Sequence, residues 1–197
     1  KQMSKRLLVV GDESIQDLTC FLTDAGFEVV GIANDGERAI ELAYEQRPDL
    51  ILMNIELPKL NGLKASGIIY KAYRIPSLLV LSSSPKEYVE EMKKTYIMGY
   101  LVKPISKVSL ISTVEIAFVQ VQNQKLYEEK IMALDLSLQQ RKSIEKAKGI
   151  IMRKRKITED KAYRLLRNLS MNKHLPMAEI AELIIVKNQS SMVKTSE

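Results

Sequence analysis

The sequence predicts an α/β domain on a doubly wound, five-stranded parallel sheet, followed by a long connector helix and a small three-helix bundle. Three observations predict it. Five short apolar runs alternate with stretches of helical period, and the runs stop at polar residues or turn signals. The segment from Ser106 to Gln140 contains neither Pro nor Gly. Residues 141–186 then combine strong positive charge with an apolar stripe at three- and four-residue steps.

Leu7 to Val10 reads as the first strand and ends at Gly11-Asp12-Glu13. Ile15, Leu18 and Leu22 recur at helical spacing until Gly26 stops the helix. Glu28 to Ala33 is the second strand, and Gly36 to Glu45 a helix with Ala39, Ile40 and Ala43 inward. Pro48 ends it, and Leu50 to Met53 is a third strand reaching Asn54. Leu57-Pro58 and Asn61-Gly62 mark a loop before a helix over Leu63 to Ala72. Leu78 to Leu81 is the fourth strand, ending in Ser82-Ser83-Ser84-Pro85. A short helix over Lys86 to Lys94 leads to the fifth strand, Tyr100 to Val102, which ends at Lys103-Pro104. Apolar strands alternating with helices call for a parallel sheet covered on both faces, with a working site beyond the carboxyl ends of the strands. Asp12, Asn54, Ser82 and Lys103 stand at those ends.

In the connector, Val114, Ala117, Val121, Tyr127, Ile131, Leu134 and Leu138 follow helical steps. A lone helix of this length leaves its stripe uncovered, so a parallel homodimer through a coiled coil is expected; the alternative is a stripe folded back onto its own chain. In the bundle, Ile144, Ala147 and Ile151, then Ala162, Leu165, Leu166 and Leu169, form the inner faces of two helices. Thr158, followed by Glu159 and Asp160, reads as a hydroxyl cap with acids in the first turn. Pro176 suits the first turn of a third helix with Ile180, Ala181 and Ile184 inward. The expected divisions are 5–120 for the sheet domain, 106–140 for the connector, 141–186 for the bundle and 187–197 for a disordered tail rich in Ser, Lys and Asn.

The chain carries +6 overall, but residues 139–174 hold 12 Lys/Arg against 3 Asp/Glu. Positive charge concentrated in one place attracts a polyanion, most often nucleic acid. The stripe leaves Lys146, Lys148, Arg153, Lys154, Arg155, Arg164 and Arg167 expected on the outside, with Arg141 beside them. Hydrophobic content of 46% is ample for a core. No apolar run reaches the roughly 18 residues of a membrane span, and no charged-then-apolar leader precedes the first strand. The expectation is a cytoplasmic protein with no membrane association. Cys20 is the single cysteine and is expected as a small core or boundary side chain. There is no catalytic triad and no metal-ligand cluster, so a non-enzyme is expected.

Two resemblances sharpen this reading. Ile144 to Met152, with its Ala147-Lys148-Gly149 core, then Thr158 to Arg167, with its Ala162-Tyr163 pair, then Leu175 to Ile185 resemble the ANTAR domain, the RNA-binding helical module of AmiR- and NasR-type transcription antiterminators. The resemblance implies binding to hairpins of a nascent transcript, with paired hairpins gripped by a dimer. Arg141, Lys146, Lys148, Arg153, Lys154, Arg155, Arg164 and Arg167 would meet phosphate. Tyr163 would either stack on a loop base or pack in the bundle core. His174 reads as a turn residue near the patch.

Residues 5 to about 120 resemble the receiver domain of bacterial response regulators, a flavodoxin-like fold: Glu56-Leu57-Pro58 to Gly62, and Lys103-Pro104, stand where that family has them. The family takes a phosphoryl group from a sensor histidine kinase onto an aspartate after strand three, with magnesium held partly by two acids after strand one. By that resemblance Ser82 (or Ser83), Tyr100 and Lys103 match the switch residues, and Asp12 a metal ligand. Asn54 stands where the acceptor aspartate belongs, and Gly11 where the first paired acid belongs. An amide lacks the anionic oxygen that attacks phosphorus, and the loss of carboxylates weakens magnesium binding. The expectation is an atypical receiver in a two-component, phosphorelay-type architecture, with no cofactor required and at most weak Mg2+ at Asp12. Its control would come from a sensor kinase or an inhibitory protein partner. Two functions compete with RNA-binding antitermination: a DNA-binding response regulator, which needs a recognition helix not found in the basic region, and a module that binds an acidic protein.

Overall fold

The computed structural model describes residues 5–12, 14–83 and 85–193. Contacts divide the chain into two units, Lys1–Leu126 and Tyr127–Glu197.

The first unit is a five-stranded parallel sheet in the order β2-β1-β3-β4-β5. Its strands are β1 (Arg6–Val10), β2 (Glu28–Ala33), β3 (Leu50–Asn54), β4 (Ser77–Leu81) and β5 (Ile97–Val102). The strand order reverses at β1 and β3, which leaves a crevice beyond their carboxyl ends. The central strands β3 and β4 are buried at every position, because helices cover both faces.

Alternation along the strands divides the core in two. Leu7, Val9, Leu50, Leu52, Leu78 and Val80 meet α1 (Ile15–Asp24) through Ile15, Leu18 and Leu22. The same face meets the start of α5 (Lys107–Arg155) through Leu110, Val114, Ala117, Phe118 and Val121. Leu8, Val10, Ile51, Met53, Leu79 and Leu81 meet α2 (Gly36–Gln46) and α3 (Gly62–Tyr73) on the other face. Fully burying an aliphatic side chain contributes about 1.5–3 kcal/mol, so these layers supply most of the stabilisation.

Local chemistry starts the helices. Asp35 accepts a hydrogen bond from the Arg38 N–H at 2.8 Å to cap α2, and Asn61 accepts one from Leu63 at 2.8 Å to cap α3. The short helix expected over residues 86–94 is a 3-10 turn, Pro85–Tyr88, running into α4 (Val89–Met92). β5 begins earlier than expected, at Ile97. Gly99, at φ +145, interrupts the apolar pattern there and hides the start of the strand.

The second unit is helical: the carboxyl part of α5, then α6 (Glu159–Lys173) and α7 (Met177–Val193). No break separates the connector from the first bundle helix; both belong to α5. Ala147, Ile151, Ala162, Leu166, Ile180 and Ala181 form the bundle core. Ala147, Ala162 and Ala181 are fully buried, one from each helix, and these small side chains let the backbones approach closely. Thr158 takes the extended cap conformation expected before α6, but its side chain makes no capping hydrogen bond. His174 closes α6 in the left-handed region, at φ 52, with its N–H donating to Met171 and Ser170. The tail expected to be disordered from 187 is helical through Val193, and residues 194–197 lie outside the described residues. Cys20, expected in the core or at its boundary, is exposed on α1, because Ile15, Leu18 and Leu22 occupy the inward face.

Candidate functional site

The polar residues at the strand ends converge beyond β1, β3 and β5. Asp12 follows β1, Asn54 ends β3 and Lys103 follows β5. The Asn54 side chain is buried, at 3% exposure, and its Oδ1 accepts from the Glu56 N–H at 3.1 Å. Its Nδ2 donates to Asp12 Oδ2 at 3.4 Å, and Lys103 Nζ makes an ion pair with the same oxygen. Asp12 Oδ1 accepts from Ser14, at 3.1 Å from N–H and 2.7 Å from the hydroxyl. The Lys103 ammonium, followed by the Ser14 hydroxyl, lowers the Asp12 pKa to about 2.

Backbone geometry holds this cluster. A Cβ on Gly62 would stand 1.9 Å from the Asn54 carbonyl oxygen, so the loop closes over the end of β3 only because glycine is there. Gly11 differs: a Cβ there would meet Asn54 Cβ at 3.7 Å and Ile15 at 3.8 Å, which is ordinary contact. The cleft among Gly11, Asp12, Ser14, Asn54 and Lys103 leaves about 10 Å³, near the minimum for one water.

These donors do not fit magnesium. Magnesium favours carboxylate and water oxygens in near-octahedral order. Among the described residues that line the cleft, the one carboxylate, Asp12, is engaged by an ammonium, and the neutral amide oxygen of Asn54 is engaged by a backbone N–H.

Basic residues gather on the second unit. Arg141, Lys146, Arg153, Lys154, Arg155, Tyr163, Arg164 and Arg167 are all exposed, while Ala147, Ala162 and Leu166 fill the core between them. Lys148 is the exception. It was expected outside, but its side chain is only 9% exposed. Its Nζ bonds Glu145 at 2.8 Å and Glu159 at 2.7 Å, and these carboxylates, Glu145 first, raise its pKa. Burial of an ammonium is sustained here because both acids neutralise it. Lys148 therefore ties α5 to the first turn of α6.

The receiver-domain family description, "Response regulator receiver domain", matches residues 7–115, and the ANTAR domain matches residues 133–185. The transcriptional regulatory protein PdtaR of Mycobacterium tuberculosis is 32% identical over 183 residues, which is 92% of this chain and 89% of that protein. The chain belongs to the ANTAR response regulators. Chemotaxis protein CheY of Thermotoga maritima is 33% identical over 105 residues, covering 52% of this response regulator and 88% of CheY. The signal receiver domain of a modulated diguanylate cyclase from Desulfovibrio desulfuricans shares its fold at a TM-score of 0.56 and 27% identity, over 61% of this chain and 98% of that one.

Of the switch residues expected in this response regulator, Lys103 joins the cluster. Ser82 and Tyr100 are exposed and do not line the cleft. Glu13, which follows Asp12 after the first strand, lies outside the described residues. Tyr163 is exposed, which removes the core alternative for it. Sequence reasoning missed Ser14, Glu145 and Glu159. Lys148 carried a signal: it stands four residues after Ile144 and three before Ile151, beside the inward stripe, with Glu145 three residues back. Among the described residues, no helix is long and apolar enough to cross a membrane.

The Asp12 carboxyl is held below its ordinary value of 3.8, so its ion pair contributes stability that is complete above about pH 4 and lost as pH falls towards 2. Carboxyl-carbon NMR should find Asp12 titrating near 2. Lys103→Met should move that midpoint upward, and an unmoved midpoint would show that the ion pair is absent in solution.

Proposed function

We propose that this response regulator is an RNA-binding antiterminator whose receiver domain does not accept a phosphoryl group at residue 54. The observation that carries the reading is the exposed basic face of the ANTAR-matched bundle, where Arg141, Lys146, Arg153, Lys154, Arg155, Arg164 and Arg167 surround a compact apolar core. A rigid helical frame fixes the backbone that carries these exposed cations, so meeting a phosphate backbone orders their side chains but not the helices. Tyr163, exposed on α6, adds a ring for stacking on an unpaired base. Lys148 is removed from the set of phosphate contacts, since its ammonium is already engaged by two carboxylates.

Full-length protein should bind a stem-loop RNA at least about tenfold more tightly than duplex DNA of equal length at equal salt. Replacing Arg153, Lys154 and Arg155 together with alanine should lower RNA affinity about a hundredfold and reduce the slope of log affinity against log salt by about 2. Equal or tighter binding of the duplex would favour a DNA-binding regulator instead.

On the receiver side, the neutral Asn54 amide cannot act as the anionic nucleophile, and the Asp12 carboxylate is engaged by Lys103 and Asn54. Control then rests on a protein partner, such as a kinase acting through contact or an inhibitor. Incubation with a small phosphodonor and magnesium should leave the intact mass unchanged. Because Gly11 has room for a side chain, Gly11→Asp combined with Asn54→Asp should restore acceptance of one phosphoryl group. A phosphoryl group on residue 54 of the unaltered protein would overturn the reading.

The connector supports a homodimer. Tyr127, Ile131, Leu134 and Leu138 are all more than half exposed, and they follow the four-three-four spacing of a coiled-coil seam. Two basic modules joined in this way would hold two hairpins with raised effective concentration. Sedimentation equilibrium should show a dimer at micromolar concentration, and Ile131→Asp with Leu134→Asp should give a monomer. A monomeric unaltered chain would remove the paired-hairpin model.

A further inference from the structure

One groove of the bundle is left over by the basic face described above. It lies between α5 and α7 and has a volume of about 390 Å³. Lys142, Ser143 and Lys146 line it from α5, and Glu182, Ile185 and Val186 from α7. Steps of three and four residues put each set on one face of its helix. Ile185 is half-buried against the bundle core, so the groove has an apolar side. Lys142, Lys146 and Glu182 form no ion pair among the described residues. Lys148, further along α5, has two carboxylate partners. Within the bundle, α5 thus carries Lys148 tied to two carboxylates and Lys142 and Lys146 around a cavity.

We propose that this groove is a subsite for one unpaired RNA nucleotide whose base carries an exocyclic amine. The proposal rests on the RNA-binding reading given above and specifies which feature of the RNA is read. The volume falls at the low end of the roughly 300–1,000 Å³ of small-ligand sites, which suits a single nucleotide and excludes a paired helix. Ile185 and Val186 offer apolar surface to the face of a base. Lys142 and Lys146, one turn apart, supply cations for the flanking phosphates. Glu182 is an acceptor-only group. It takes a hydrogen bond from the amine of cytosine, adenine or guanine, whereas uracil offers only its N3–H, flanked on both sides by carbonyl oxygens that repel a carboxylate. A second copy of this chain is a poor occupant, because an apolar interface here would desolvate three unpaired charges.

The test uses the full-length protein and two labelled stem-loop RNAs that share one stem, with loops made only of cytidine or only of uridine. Fluorescence anisotropy across a salt series should show the cytidine loop bound about tenfold more tightly. Glu182→Ala, a change at an exposed helix position, should bring the two loops to equal affinity while stem-loop binding persists. Lys142→Ala with Lys146→Ala should weaken both loops and lower the salt slope by about 1. Equal binding of the two loops by the unaltered protein, or a cytidine preference that survives Glu182→Ala, overturns the groove proposal alone. Failure of both stem-loops to compete with duplex DNA overturns the RNA-binding reading and the groove with it.

Discussion

A parallel sheet covered on both faces cannot carry a polar side chain within its strands without stranding it in apolar surroundings. In this protein β3 and β4 are buried along their whole length, and Ile51, Leu52, Leu78 and Leu79 occupy the middle of the sheet. Within β3 and β4 the polar side chains stand only at strand ends, Ser77 at the start of β4 and Asn54 at the carboxyl end of β3, and the polar cluster forms at the carboxyl ends, where the strand order reverses and neighbouring loops part. Asp12, Asn54 and Lys103 come together for that reason, although they are far apart in the chain. The loop that returns from β3 must pass over Asn54, and only Gly62 allows the approach.

Within that confinement the charges have been rearranged. A receiver site suited to a divalent cation would gather several carboxylates and tolerate their repulsion through the metal. Here one carboxylate, one ammonium and one amide satisfy each other directly. Ser14 completes the shell of Asp12, and the backbone N–H of Glu56 completes that of Asn54. The arrangement leaves room for hardly more than a water.

The same rule about buried charge sorts the lysines and arginines of the bundle. Arg153, Lys154, Arg155, Arg164 and Arg167 stay in solvent and remain available to a polyanion. Lys148 enters the interface of α5 and α6, where it needs two carboxylates to remain charged. It shapes the surface that the others present, without belonging to it. The alanines at the centre of the bundle act towards the same end, since larger side chains would move α6 and α7 away from α5.

Much of this was determined by the sequence. Apolar runs of about five residues, broken by Gly, Pro and Asn, specify five strands and their helices, because strand and helix periodicities are local properties. The basic stripe and the residues at the strand ends were legible on the same grounds, as was Asn54 at the end of β3. The beginning of β5, the burial of Lys148, the helical continuation of α7 past residue 187 and the exposure of Cys20 were decided by tertiary structure. So was the pairing of Asp12 with Lys103. Each depends on what packs against an element from elsewhere: Glu159 reaches back across a turn to Lys148, and Lys103 arrives beside Asp12 only when β5 has joined β4. Periodicity records which face of a helix or strand is apolar. Which charge meets which requires distant segments to be in place.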